Sequence, residues 1–241
     1  MNYSPRTNEY FILDSKFPER LTRSGYERTI GFIQYIFEQY AKAGLTEKSD
    51  KEVAISGLLQ RIERSIRSKY VYGTFNCFLC RLLLWRVLDA ADEGVAGPSN
   101  VKSTIPSWSW MSHDSIKFIP EGDIEVSRTV VSFRSDQKLQ GWVFKLRDCE
   151  AREDEERHVH LYDNGRGVGE IWFDAHVREV QDCVVLGREK RLYGDDAEAA
   201  KNKYWYILLV SAKSGNHYSR LGVGMIKQQF VLNVFTEGIL V

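Results

Sequence analysis

IPSWSWMSHDSIKFI, residues 105 to 119, is the stretch on which the fold turns, because it separates a helix-patterned half of the chain from a strand-patterned half. Ser107, Ser109 and Met111 alternate with Trp108, Trp110 and Ser112, so an extended segment places both indoles on one face. Each indole then needs burial and a partner for its N–H. A core strand is the direct reading. An exposed aromatic binding platform, with Asp114 as its polar neighbour, is the alternative.

Downstream, apolar residues recur with period two. Ile116 pairs with Phe118, Ile124 with Val126, and Trp142, Phe144 and Leu146 alternate with polar neighbours. RDCEAREDEER, residues 147 to 157, carries six acids and three bases and suits a solvated loop or a fraying strand end. Val159 and Leu161 then point one way, and His158, His160 and Tyr162 the other. Two histidines on one strand face can bind zinc, with His176 as a conceivable third ligand, but no spacing demands it, so the sequence predicts no metal and no cofactor. The glycine-rich run from Asp163 to Gly169 leads into another strand rather than a helix, which favours a hairpin turn over a phosphate loop.

YWYILLV, Tyr204 to Val210, is apolar on both faces and reads as a central strand. Leu221, Val223 and Met225 face inward while Gly222 and Gly224 leave the other face bare, as at a close backbone approach. Phe230, Leu232 and Val234 alternate in the same way. Short strands without intervening helices predict an antiparallel barrel or sandwich.

Upstream, residues 89 to 104 are small, polar and rich in turn chemistry, and mark a boundary between a helical segment, 1–104, and an antiparallel β domain, 105–241. Three helices are predicted before it. Ser24 and Glu27 form a capping box ahead of Tyr26, Ile30, Ile33, Phe37 and Tyr40, with Gly44 closing the pattern. Ser49 and Glu52 repeat the signature ahead of Ile55, Leu59, Ile62 and Ile66, whose opposite face carries Arg61, Arg64, Arg67 and Lys69 as a solvated side. The third helix, about Thr74 to Leu88, is apolar nearly all round and should sit centrally. Its Cys77 and Cys80 lack the further ligands of a zinc site and the strand-to-helix setting of a redox site, so they read as two buried core thiols. Residues 1 to 23 form an irregular lead-in. The fold class is therefore α+β, about three helices followed by an antiparallel β unit.

Composition bounds the function. The 241 residues carry 33 basic and 33 acidic side chains, so no global field draws the protein to nucleic acid or an anionic membrane. No segment has the pattern of a secretory signal or the length of a membrane span, and four cysteines do not make a disulfide framework in a chain this long. A reducing, cytoplasmic setting follows as the expectation. No nucleophile, acid–base pair or metal motif is assembled along the chain, so no catalytic residue and no enzymatic activity are predicted. Asp195 and Asp196, the carboxylates a hydrolase reading would use, sit on a Gly-Asp-Asp turn and read as solvated.

Several blocks nevertheless recur in a familiar order. Leu45-Thr46, Ser49-Asp50-Lys51 and Ala54-Ile55-Ser56-Gly57 are followed by Tyr70 with Gly73, by Leu83-Leu84-Trp85, and by Pro106-Ser107-Trp108-Ser109-Trp110. Tyr204 to Leu209 with Tyr218, Arg220, Gly222 and Val223 complete the series. Over about 45 to 223 the chain resembles fungal heterokaryon-incompatibility (HET) domain proteins, with Phe75 standing where that family usually has Trp. The family's opening Ser-Tyr-x-Trp-Gly and Trp-Ile-Asp blocks are absent. The chain thus resembles the trailing edge of the domain plus the region after it, a fragment without the catalytic-like core. The resemblance implies non-self recognition or cell-death signalling through protein contacts, with a protein partner or self-association, because apolar helix stripes that normally pack on the missing core would be left exposed. The alternative is a stand-alone module whose β domain binds a small ligand or a protein.

Overall fold

The structure is a computed structural model that describes residues 21, 23–43, 51–88, 105–119, 124–126, 131–155, 157–175, 182–190 and 202–241. Its class is α+β. Helix α1, Tyr26–Lys42, and helix α2, Lys51–Ile66, come first. Their spacing of apolar residues is what the sequence predicts, and Ile30, Ile33, Phe37, Ile55, Leu59 and Ile62 are all buried in one cluster. Both apolar stripes are therefore covered within the chain, by Phe75, Trp85, Trp110, Ile116 and Phe118, rather than left exposed for an outside core. The start of α1 also differs from the predicted capping box. Gly25 is the N-cap and contributes no side-chain hydrogen bond, while the Ser24 hydroxyl donates back to the Leu21 carbonyl at 2.6 Å. Gly44 and Ser49 lie outside the described residues.

The predicted third helix is not a helix over most of its length. Strand β1, Tyr70–Val71, turns tightly into β2, Thr74–Phe75. The turn residues Tyr72 and Gly73 have φ of 44° and 73°, the left-handed pair that a two-residue hairpin requires. A 3-10 turn at 76–78 and a single helical turn, α3 at Leu79–Leu82, follow, and the chain then enters strand β3, Trp85–Val87. Helical spacing misleads here because short elements in succession bury the same side chains that a helix would have lined up. Phe75, Phe78, Leu82 and Trp85 join the helical cluster, whereas Leu79, Cys80, Leu83 and Leu84 face the barrel.

Residues 105 to 119 likewise do not form one extended core strand. A 3-10 turn occupies Trp110–Ser112, and Ser109 caps it by accepting from the Met111 amide at 3.1 Å. The strand begins only at β4, Ile116–Phe118, which pairs antiparallel with β3. The turn sends the two indoles apart: Trp110 packs in the helical cluster and Trp108 in the barrel cluster.

Ten strands form the main sheet: β5 (Ile124–Val126), β6 (Val131–Phe133), β7 (Leu139–Leu146), β8 (Glu150–Glu155), β9 (His158–Asp163), β10 (Arg166–Phe173), β11 (Asp182–Glu189), β12 (Tyr204–Ala212), β13 (His217–Lys227) and β14 (Val231–Leu240). Five close a barrel in the order β7, β11, β12, β13, β14 and back to β7. Its pairings are antiparallel except β13 with β14, which run parallel where His217 and Tyr218 meet Ile239 and Leu240. From Gly222 onward β13 pairs with β10, and β10, β9 and β8 extend the sheet outward.

The barrel interior is filled by Val143, Val184, Leu208, Val223 and Leu240, together with Leu83, Leu84 and Trp108 from the earlier segments. Gly222 and Gly224 allow the close approach read from the sequence: a Cβ on Gly224 would meet the Glu170 carbonyl at 2.6 Å. β12 is flanked by β11 and β13, with Ile207 to Val210 buried, as a central strand should be. The hairpin between β9 and β10 turns on Asn164 and Gly165, with φ of 49° and 74°.

Of the two readings of the charged run 147–157, the strand applies over most of it: residues 150–155 form β8 at the end of the sheet. Two strand readings are corrected. In β7 the fully packed face is Leu139, Gly141 and Val143, and Trp142 is exposed. In β14 a register shift between Val231 and Phe235 turns Leu232 and Val234 out to solvent, so only Phe230 of the predicted inward set is buried. No helix among the described residues is long and apolar enough to cross a membrane.

Candidate functional site

Among the described residues, a dense set of hydrogen bonds is built on Arg220, which β13 carries into the seam between barrel and helices. Its side chain is fully buried, and Nε donates to Asp174 Oδ2 at 2.7 Å. Nη1 donates to the Leu83 carbonyl at 2.8 Å, and Nη2 donates to the Trp85 carbonyl and to Asp174 Oδ1. The guanidinium carbon lies 3.3 Å from the centroid of the Trp85 ring. Burial pushes the Arg220 pKa below its ordinary value and the Asp174 carboxylate pulls it back, so the guanidinium stays charged.

The same seam is tied from the other side. Ser107 Oγ donates to the Val241 carbonyl at 2.5 Å and accepts from the Arg220 amide at 3.1 Å. Trp85 Nε1 donates to the Trp108 carbonyl at 3.3 Å, and Ser109 Oγ to the Tyr72 carbonyl at 2.8 Å. Trp110 Nε1 donates to the Gly73 carbonyl at 3.1 Å. Leu83, Trp85, Ser107, Trp108, Ser109, Trp110, Gly73 and Arg220, scattered over the sequence, therefore meet in one buried hub. Most of its polar groups are bonded within the chain, and these bonds tie the helical cluster to the barrel cluster.

Trp108 and Trp110, the candidate platform, are fully buried, so neither meets a ligand at the surface. Trp110 stacks on Phe37 with centroids 4.5 Å apart, and Trp108 meets Tyr72 and Phe133 edge-on or tilted at 5.9 and 5.8 Å. The Trp108 N–H finds no partner among the described residues. Asp114 is half-buried in the bend ahead of β4. Of the C-x-x-C pair, Cys80 is buried, with its thiol pKa pushed up to about 12 by desolvation, whereas Cys77 is exposed, not the core thiol expected. A cleft of about 460 Å³ lined by polar side chains of α2, β1 and Gln137 lies outside the barrel, whose interior is filled by side chains. His176, Asp195 and Asp196 lie outside the described residues.

A second cluster lies on the outer face of β8, β9 and β10. His158 and His160 are two apart on β9 and share that face, as the sequence predicts. No sequence spacing fixes a third ligand for them, but among the described residues the fold brings one up. β8 carries a register irregularity between Glu153 and Glu155, and Asp154, the residue between them, turns toward the imidazoles. Asp154 Oδ2 is 3.3 Å from His160 Nε2 and 3.8 Å from His158 Nδ1. On its other side His158 Nε2 is 3.1 Å from Glu170 Oε2, and the His158 ring stacks on Trp172 with centroids 4.8 Å apart. One ligand atom from each of Asp154, His158 and His160 lies within 4.8 Å of the other two.

The third feature is an apolar strip across β7 and β14. Trp142 is 43 % exposed, Leu232 38 %, Val234 63 % and Phe235 51 %. Trp142 and Phe235 contact each other edge-on at 5.3 Å, and Phe144 packs against Phe235 at the same distance. Residues 232–234 have no register partner on β7 or β13, so the ladder is interrupted beside these exposed apolar side chains. No protein-family model, no curated protein and no solved structure matches the chain.

Proposed function

We propose that this chain is a HET-like cytoplasmic protein of non-self recognition or cell-death signalling, acting by protein contact and not by catalysing a reaction. The observation that carries the contact reading is the strip on β7 and β14, where Trp142, Leu232, Val234 and Phe235 are exposed beside an interrupted ladder. An exposed apolar strip of this kind is covered by the apolar surface of a partner. Its occupant is a second copy of the chain: residues 232–236, LNVFT, carry no charge, so two such segments meet without like-charge repulsion. A two-fold contact of this type is closed and self-complementary.

The HET setting rests on the resemblance of the sequence blocks, four of which, around Gly73, Leu83 to Trp85, Ser107 to Trp110 and Arg220, touch one another in the hub. The test is induced expression in fungal hyphae with a vital dye as the readout. Wild type should kill or arrest the cells, and a Val234→Lys, Phe235→Lys double variant of equal abundance should not. Equal viability with wild type, the variant and an empty vector would remove the proposal.

A further inference from the structure

We propose that Asp154, His158 and His160 bind one zinc ion, with Glu170 fixing the orientation of His158. Two imidazole nitrogens and one carboxylate oxygen are the donor set of a borderline cation such as zinc, whereas calcium and magnesium take oxygen ligands. A tetrahedral zinc with ligands at ~2.0–2.1 Å separates its ligand atoms by roughly 3.3 Å. The Asp154–His160 pair already stands at 3.3 Å, the Asp154–His158 pair at 3.8 Å, and the ligand atoms of all three residues lie within 4.8 Å of one another, so drawing them onto one ion needs a closing on the order of 1 Å by the side chains.

Three further features distinguish this arrangement from a chance surface cluster. The irregularity in β8 falls at the residue that completes the set. Glu170 holds His158 Nε2 at 3.1 Å and so leaves Nδ1 facing Asp154, the carboxylate–histidine–metal geometry of protein zinc sites. The parallel stack of His158 on Trp172, with 2° between planes, locks the ring in that orientation. The side chains of Asp154 and His160 are 60 % and 37 % exposed, so the ion has an entry path and one coordination position open to water.

The site lies on β8, β9 and β10, away from the strip on β7 and β14, so it stands or falls independently of the contact proposal. The experiment is calorimetric titration of chelator-stripped full-length protein with zinc chloride, repeated with cobalt(II) to read coordination from its visible absorption. Wild type should take up one zinc per chain in the micromolar range and give the intense bands of four-coordinate cobalt. His160→Ala and Asp154→Ala should abolish that uptake. Glu170→Gln should weaken it by about 10- to 100-fold. Unfolding temperatures measured without zinc establish that each variant is folded, and His160 and Asp154 are exposed enough for this to hold. Absence of uptake by wild type would overturn the site. So would uptake unchanged in His160→Ala and Asp154→Ala, which would place the ion elsewhere, and an affinity unmoved in Glu170→Gln would overturn the orienting role of that carboxylate.

Discussion

Replacing Arg220 by Met keeps much of the side-chain volume and removes the charge at the centre of the hub. Asp174, whose side chain is only 9 % exposed, then loses its bidentate partner, and the Leu83 and Trp85 carbonyls lose their donors. Breaking a buried ion pair from one side costs about 3–5 kcal/mol, because the remaining charge stays out of water without compensation. For a chain of this size each kcal/mol moves the melting temperature by roughly 2–4 °C, so Arg220→Met should melt about 6–20 °C below wild type. Arg220→Lys should also destabilise, since one ammonium cannot reach both carbonyls and both Asp174 oxygens as the planar fork does. Pairing Arg220→Met with Asp174→Asn should recover part of the loss, and the deficit should persist in high salt because the pair is buried. Thermal unfolding followed by circular dichroism reads these three variants and the Asp174→Asn single variant. A melting temperature for Arg220→Met within a degree or two of wild type, or strict additivity with Asp174→Asn, would refute the reasoning.

Two further outcomes follow from local geometry. Gly73→Ala puts a Cβ 2.7 Å from Trp110 Nε1 at a φ of +73°, so it should destabilise by at least about 1–3 kcal/mol, whereas Gly57→Ala, with nothing within 4 Å, should not destabilise; denaturant unfolding compares them. Burial raises the pKa of the Cys80 thiol to about 12 and of the half-buried Cys149 thiol to about 11, and raises that of Cys183 as well, so at pH 8 Cys80 and Cys183 should label only after unfolding, while exposed Cys77 labels first in the native protein. Mass spectrometry of alkylated peptides gives the order.

Helices α1 and α2 are legible in the sequence because a regular apolar period survives along each, and the β9–β10 hairpin because Asn164-Gly165 permits little else. The failures share a physical cause. From Thr74 to Leu88 the left-handed pair at Tyr72 and Gly73 and the two short turns after it override a helical period, and Gly73 was the one local signal of it. Ser109 bends the Trp segment by capping its own turn, and so separates indoles that alternation would have kept together. Alternation likewise fails at Val234, where β14 shifts register and residues 232–237 are all exposed. The candidate sites are long-range products. Asp154 reads as one acid in a charged run until β8 pairs with β9, and no local pattern ties Arg220 to Asp174, 46 positions apart.

Contact through the β14 strip is read by sedimentation velocity across a concentration series. Wild-type protein should pass from monomer to dimer as concentration rises, and the Val234→Lys, Phe235→Lys variant, with an unchanged circular dichroism spectrum, should remain monomeric throughout. A wild type that stays monomeric over the whole series, or a variant that dimerises as readily, would contradict it.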